Sequence, residues 1–101
     1  MKQNRIKPED ALKIIIVGCG KIGQNLAEQL VEQGNDVTVI DISRGKVKEV
    51  TASCDCMGVV GNGATHAIQE QAGIGDADLF IAVTGSDELN ILLLSYSQKG
   101  K

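Results

Sequence analysis

The chain has no tryptophan, one phenylalanine and one tyrosine among its 101 residues. That scarcity removes the stacked aromatic platforms on which single-stranded nucleic acids are held. Positive charge is not in excess either. Ten Lys and Arg stand against thirteen Asp and Glu, a formal net charge of −3, so no global basic field attracts a phosphate backbone and no nucleic-acid partner is expected. No apolar stretch approaches the roughly 20 residues of a bilayer-spanning helix. The segment Met1-Lys2-Gln3-Asn4-Arg5-Ile6-Lys7-Pro8 is basic, but no apolar segment follows it directly, so it is not a secretory signal. Three cysteines are an odd number without an export signal, which points to reduced thiols in a cytosolic protein. Cys54-Asp55-Cys56, even with Cys19 and the single His66, matches no structural zinc pattern, since CxC without a second pair supplies too few ligands. His66 reads as a surface residue. No His-Asp or Lys-Tyr pair is placed to handle a substrate proton, so no catalytic residue is assigned and the chain is not expected to be an enzyme.

What is present is a foldable chain. Hydrophobic residues make up 43%, too many for disorder by composition. A chain of this length supports one small domain that buries roughly two-thirds of its unfolded surface. Residues 1–10 read as a polar lead-in and 11–101 as the domain. Lys13 to Val17 is an apolar run of the length of a central parallel strand. A helix from about Lys21 to Gln33 follows, with Ile22, Leu26, Ala27, Leu30 and Val31 on one face and Gly34 as its C′ residue. Strands are expected at Val37–Ile40, Cys56–Val60 and Leu79–Val83. Helices are expected at Ser43–Ala52 and Ala64–Ala72, the first interrupted by Gly45 and the second stopped by Gly73. A fourth helix is expected to open near Ser86-Asp87-Glu88 and run toward Gln98.

Strands alternating with helices imply parallel βαβ units with right-handed crossovers. The fold class is therefore α/β: a doubly wound, Rossmann-like parallel sheet in the order 3-2-1-4, cut off after its fourth strand and helix. A full fold of this type has six strands, so the sequence reads as a fragment. The expected fourth helix carries Ile91-Leu92-Leu93-Leu94 without interruption, more apolar than one sheet face requires, which predicts a homodimer through that helix and the edge of strand four.

The segment Gly18-Cys19-Gly20-Lys21-Ile22-Gly23 joins the first strand to the first helix. A GxGxxG is weak evidence alone. Here an acidic residue, Asp41, also closes the second strand 18 positions past Gly23. That is the context of a dinucleotide-binding turn. Gly18 allows the tight turn, Gly20 lets the backbone approach a pyrophosphate, and Gly23 lets the helix pack on the sheet. The pyrophosphate is expected on the amide groups opening that helix, with Cys19, Lys21 and Ile22 beside it. Asp41 is placed to accept from ribose hydroxyls and to repel a 2′-phosphate, which favours NAD(H) over NADP(H). Its alternative role is capping the second helix, which Ser43 can also fill. Ile42 and Arg44 complete that side of the site; an arginine there can accommodate a 2′-phosphate, but Arg44 reads rather as a surface residue lining the adenine edge. Gly61-Asn62-Gly63 reads equally as a loop approaching the adenine or as a turn capped by Asn62 or Thr65. Thr84 and Gly85 follow strand four, where they suit the second half of the ligand, cap the next helix, or do both.

Taken together these residues resemble a known family. Lys13 to Gly23, Leu26-Ala27-Glu28-Gln29-Leu30, Asp36 to Asp41, Gly58-Val59-Val60-Gly61-Asn62-Gly63-Ala64, Ala72-Gly73-Ile74, Ala77 to Thr84 and Ser86-Asp87-Glu88-Leu89-Asn90 are similar to the N-terminal RCK (KTN) domain of Trk-type potassium-uptake regulatory proteins. Gly85 stands where that family often has Asn or Ser. The resemblance implies a regulatory subunit on the cytoplasmic face of the membrane, assembled on a membrane-embedded potassium transporter or channel. It implies control by NAD(H), or by ATP or ADP, with Gly18 to Ile22 on the pyrophosphate, Asp41 on the ribose, and Thr84 and Gly85 on the second nucleotide half. From the residues alone, the N-terminal half of an NAD-dependent dehydrogenase remains the alternative.

Overall fold

A computed structural model describes residues 10–83 and 89–93. The chain alternates strand and helix through most of this span: β1 Lys13–Val17, α1 Lys21–Glu32, β2 Asp36–Asp41, α2 Arg44–Ser53, β3 Met57–Val60, α3 His66–Gln71, a 3₁₀ turn Ile74–Asp76, β4 Leu79–Val83 and β5 Leu89–Leu93. The sheet order is β3-β2-β1-β4-β5. β1 runs parallel to β2 and β4, and β2 parallel to β3. The first four strands thus take the expected doubly wound order. Element bounds fall within two residues of expectation. The 3₁₀ turn was not foreseen, because three residues are too few to show a period.

β1 forms because Ile14, Ile15 and Ile16 must be buried on both faces, each at most 2% exposed, which only a central strand provides. Side chains alternate across the sheet. One face buries Ile14, Ile16, Val37, Val39 and Ile81 under α1 and α2, through Ala27, Val47 and Val50. The other buries Ile15, Ile40 and Val59 under α3 and the 3₁₀ turn, against Ile68, Ala72 and Ile74. α1 ends as expected. Gly34 takes a left-handed φ of +102°, its N–H donates to the Val31 carbonyl, and the Asn35 N–H donates to that of Leu30. This is a Schellman stop, which favours glycine at that position. Among the described residues, no helix is long and apolar enough to cross a membrane.

The expected fourth helix is corrected. Leu89–Leu93 form β5, antiparallel to β4, with Ile91 opposite Ile81. An uninterrupted apolar run has neither the 3.6 nor the 2 residue period, so the sequence cannot separate buried helix from buried strand there. The backbone groups along β4 find partners on β5. The dimer contact expected through a fourth helix and an open β4 edge loses both elements. The acidic helix start at Ser86-Asp87-Glu88, and most of the lead-in, lie outside the described residues.

Candidate nucleotide-binding cleft

The carboxyl ends of four strands open on one cleft. Val17 and Gly18 come from the end of β1, Asp41 and Ile42 from β2, the Gly61–Ala64 turn from β3, and Val83 from β4. β1 lies between β2 and β4, so this is the point where the winding reverses, where doubly wound sheets take their ligands. The cleft measures about 580 Å3, within the range of roughly 300–1,000 Å3 typical of small-molecule sites.

The three glycines of the first turn do different things. Gly18 has φ +112°, and a Cβ there would lie 2.7 Å from the Val83 carbonyl oxygen. Gly23 is buried in α1, where a Cβ would overlap the Gly18 carbonyl. A Cβ on Gly20 would meet no protein atom within 4 Å. Gly20 borders the cleft with Lys21 and Ile22. It also caps α1 without a side-chain bond, and the first turn of that helix carries no acid. No acid of the helix's own first turn therefore competes for its leading amides or for the positive end of its dipole.

Asp41 locks this turn to its neighbours. Its Oδ2 accepts from the Cys19 N–H at 2.8 Å and its Oδ1 from the Ser43 N–H at 2.9 Å. Its own carbonyl accepts from the Gly61 N–H at 2.9 Å. Each carboxylate oxygen retains acceptor capacity for a hydroxyl. Of the two candidates for capping α2, Ser43 does so, its Oγ accepting from the Lys46 N–H at 3.2 Å.

Among the expected residues, Gly18, Gly20, Lys21, Ile22, Asp41, Ile42, Gly61, Asn62 and Gly63 line the cleft. Gly23 and Cys19 are buried behind it. Arg44 is exposed and does not line it, whereas Lys46 does. Lys46 could have been found: it lies three residues after the α2 cap, on the turn of the helix that opens beside Asp41. Thr84 and Gly85 lie outside the described residues. In the Gly61–Gly63 segment the capping roles are observed. Asn62 Oδ1 accepts from the Ala64 N–H at 2.9 Å, and Thr65 caps α3. The same turn also borders the cleft.

The Cys19 thiol is pushed up to about 12, mainly by burial and then by the Asp41 carboxylate, with Lys46 pulling the other way. It stays protonated at neutral pH and is no nucleophile. His66 is exposed and pairs with Glu70 at 3.1 Å. Among the described residues, no group of three or more His, Cys, Asp or Glu side chains can hold a metal ion.

A glycine turn at the switch point of a doubly wound parallel sheet defines a Rossmann-type domain. The chain belongs to the TrkA-N domain family, whose model matches residues 14–101. It is 42% identical over 81 residues to the Trk system potassium uptake protein TrkA of Halomonas elongata, covering 80% of this chain and 18% of that protein. It is 40% identical to the protein of the same name from Haemophilus influenzae, with the same coverage. It is 37% identical over 79 residues to a TrkA homolog of Methanothermobacter thermautotrophicus, covering 78% of this chain and 37% of that one. The crystal structure of the TrkA-N domain of the inner membrane protein ybaL from Escherichia coli superposes with a TM-score of 0.63 at 30% identity, over 72% of this chain and 54% of that one. The chain thus spans about a fifth of the length of the bacterial TrkA proteins it matches.

Proposed function

We propose that this domain senses a nucleotide for a potassium-uptake system and performs no chemistry on it. The ligand is NAD(H), or ATP or ADP in its place. The observation that carries this is the pairing of an uncapped α1 start, where Gly20 leaves open space, with a clamped Asp41 across the same cleft. The amides suit a pyrophosphate and the carboxylate suits ribose hydroxyls. The residues present therefore fit a dinucleotide. Such a ligand would bring its own redox chemistry, but this chain only binds and orients it. Gly18 to Ile22 hold the phosphates, Asp41 with Ile42 holds the ribose, and the Gly61–Gly63 turn borders the adenine. Thr84 and Gly85 take the second half.

The named potassium-uptake relatives favour this role over the dehydrogenase alternative. In it the domain works in the cytoplasm, against the inner face of the membrane, on a membrane-embedded potassium transporter or channel. Binding shifts the domain between conformations and so changes transport. Calorimetry of the chain with NADH, NAD, NADPH, ATP and ADP tests the site. Saturable binding of NADH or an adenine nucleotide, with NADPH weaker than NADH, is expected. No heat with any of them would sink the proposal.

A further inference from the structure

Away from the cleft, at the junction of α2 and β3, two thiols meet. Cys54 is the C-cap of α2, and Cys56 lies immediately before β3. The Cys56 N–H donates to the Cys54 carbonyl at 3.0 Å, which closes a γ-turn about Asp55. That turn, the tightest available, brings the flanking side chains to one side. The two Sγ atoms lie 3.8 Å apart in a thiol–thiol hydrogen bond. A disulfide needs about 2.05 Å between sulfurs and close Cα atoms; the tight turn keeps the backbone positions close, and side-chain rotation has to bring the sulfurs the rest of the way. Cys54 Sγ also contacts the Val50 carbonyl at 3.7 Å, a weak interaction that such a rotation gives up easily. Both cysteines are half-buried at the edge of the core, whereas Cys19 is only 3% exposed.

We propose that Cys54 and Cys56 form a reversible dithiol–disulfide couple that reacts with small-molecule disulfides. Cys54 is the attacking thiol. Burial first, and then the paired Cys54 thiol beside it, push the Cys56 thiol up to about 12, so Cys56 stays protonated in the reduced pair. Cys54 Sγ gives its proton to solvent and attacks one sulfur of the small disulfide. The sulfur–sulfur bond of the reagent breaks, and one thiolate leaves and takes up a proton. Cys56 Sγ then loses its proton, attacks Cys54 Sγ and expels the second thiolate, which is protonated in turn. Two protein thiols are oxidised to one disulfide, and one small disulfide is reduced to two thiols.

The test equilibrates the whole chain in a ladder of hydroxyethyl disulfide and mercaptoethanol, quenches with acid, alkylates, and reads intact mass and peptide map. The wild type is expected to lose the mass of two hydrogens and to keep one alkylatable thiol, at Cys19. Cys19→Ser is expected to lose the same two hydrogens and to keep no alkylatable thiol. Cys56→Ser is expected to stop at a single mixed disulfide on Cys54. The proposal is overturned by a wild type that stays fully reduced across the ladder, by accumulation of mixed or chain-to-chain disulfides, or by a bond that includes Cys19.

Discussion

Two glycine-bearing turns line the same cleft, and a single glycine, Gly20, sets one apart from the other. In the Gly61–Gly63 turn both glycines serve the fold. A Cβ on Gly61 would lie 2.5 Å from Ile68 Cδ1, and one on Gly63 would lie 2.7 Å from Val17 Cγ1. The Gly18–Gly23 turn divides. Gly18 and Gly23 are required by neighbouring backbone, while Gly20 touches nothing the protein supplies. A motif glycine is therefore not one kind of residue. Where the protein itself fills the space, glycine is a packing requirement. Where the space is empty, as at Gly20, packing does not require glycine, and the proposed ligand is what would use the space.

The contrast is sharpest at Gly23. Gly23→Ala drives a methyl into the Gly18 carbonyl, a backbone atom that cannot move alone. A loss of about 3 kcal/mol or more is expected, read as a collapsed urea midpoint or loss of the cooperative transition. A wild-type midpoint would show that α1 can shift off the sheet. Gly63→Ala meets the methyls of Val17, which can rotate partway. Its expected cost is about 1–3 kcal/mol by the same measurement, and a stabilised variant would contradict the packing role.

Asp41→Ala acts on the Gly18–Gly23 turn and on the entry to α2, because it leaves the Cys19 and Ser43 amides without their acceptor. About 1–3 kcal/mol of stability should go. Nucleotide binding should weaken by about 1.5–3 kcal/mol, the worth of hydrogen bonds to a charged group. Unchanged affinity in calorimetry would remove Asp41 from the site.

Alkaline pH probes the core behind the first turn. Cys19 and Cys56 are both raised from 9.0 to about 12, burial being the first cause in each. The folded state holds the neutral thiol more strongly than the unfolded state does. That contribution is complete below pH 9 and is lost as the pH climbs from 9 toward 12. Urea midpoints should fall over that window and fall less steeply in Cys19→Ser. Parallel slopes would mean that Cys19 titrates as it does when unfolded.

The smallest effect on stability belongs to Gly20→Val. With open space for its Cβ, the change should cost no more than about 1 kcal/mol, the scale of an unfavourable N-cap residue, while nucleotide binding is abolished if the branches occupy the proposed place of the phosphates. Normal binding by this variant would put the phosphates elsewhere.

Much of this molecule was legible in order along the chain. Ile14-Ile15-Ile16, Gly34 and the glycine turn each carry a local rule: burial on both faces, a left-handed helix stop, and a tight strand-to-helix crossing. Those rules hold whatever surrounds them, so β1, α1 and the order β3-β2-β1-β4 could be derived before any coordinates. The cleft was legible in outline for the same reason, since parallel strands must deliver Gly18, Asp41 and Gly61 to one edge.

Other features depended on neighbours distant in sequence. Leu89–Leu93 has no period, and only the backbone of β4 made it a strand. Lys46 rather than Arg44 reaches the cleft because the orientation of α2 is set by Val47 and Val50 packing on the sheet. That Ser43 rather than Asp41 caps α2, and that Asp41 instead meets the Cys19 amide 22 positions away in the chain, was decided by the folded structure. The sequence by itself determined which segments become strands and helices wherever periodicity and turn chemistry agree. Tertiary structure alone decided the fate of the aperiodic run and which polar groups meet, because those outcomes depend on packing and on hydrogen-bond partners that come together only after the sheet has formed.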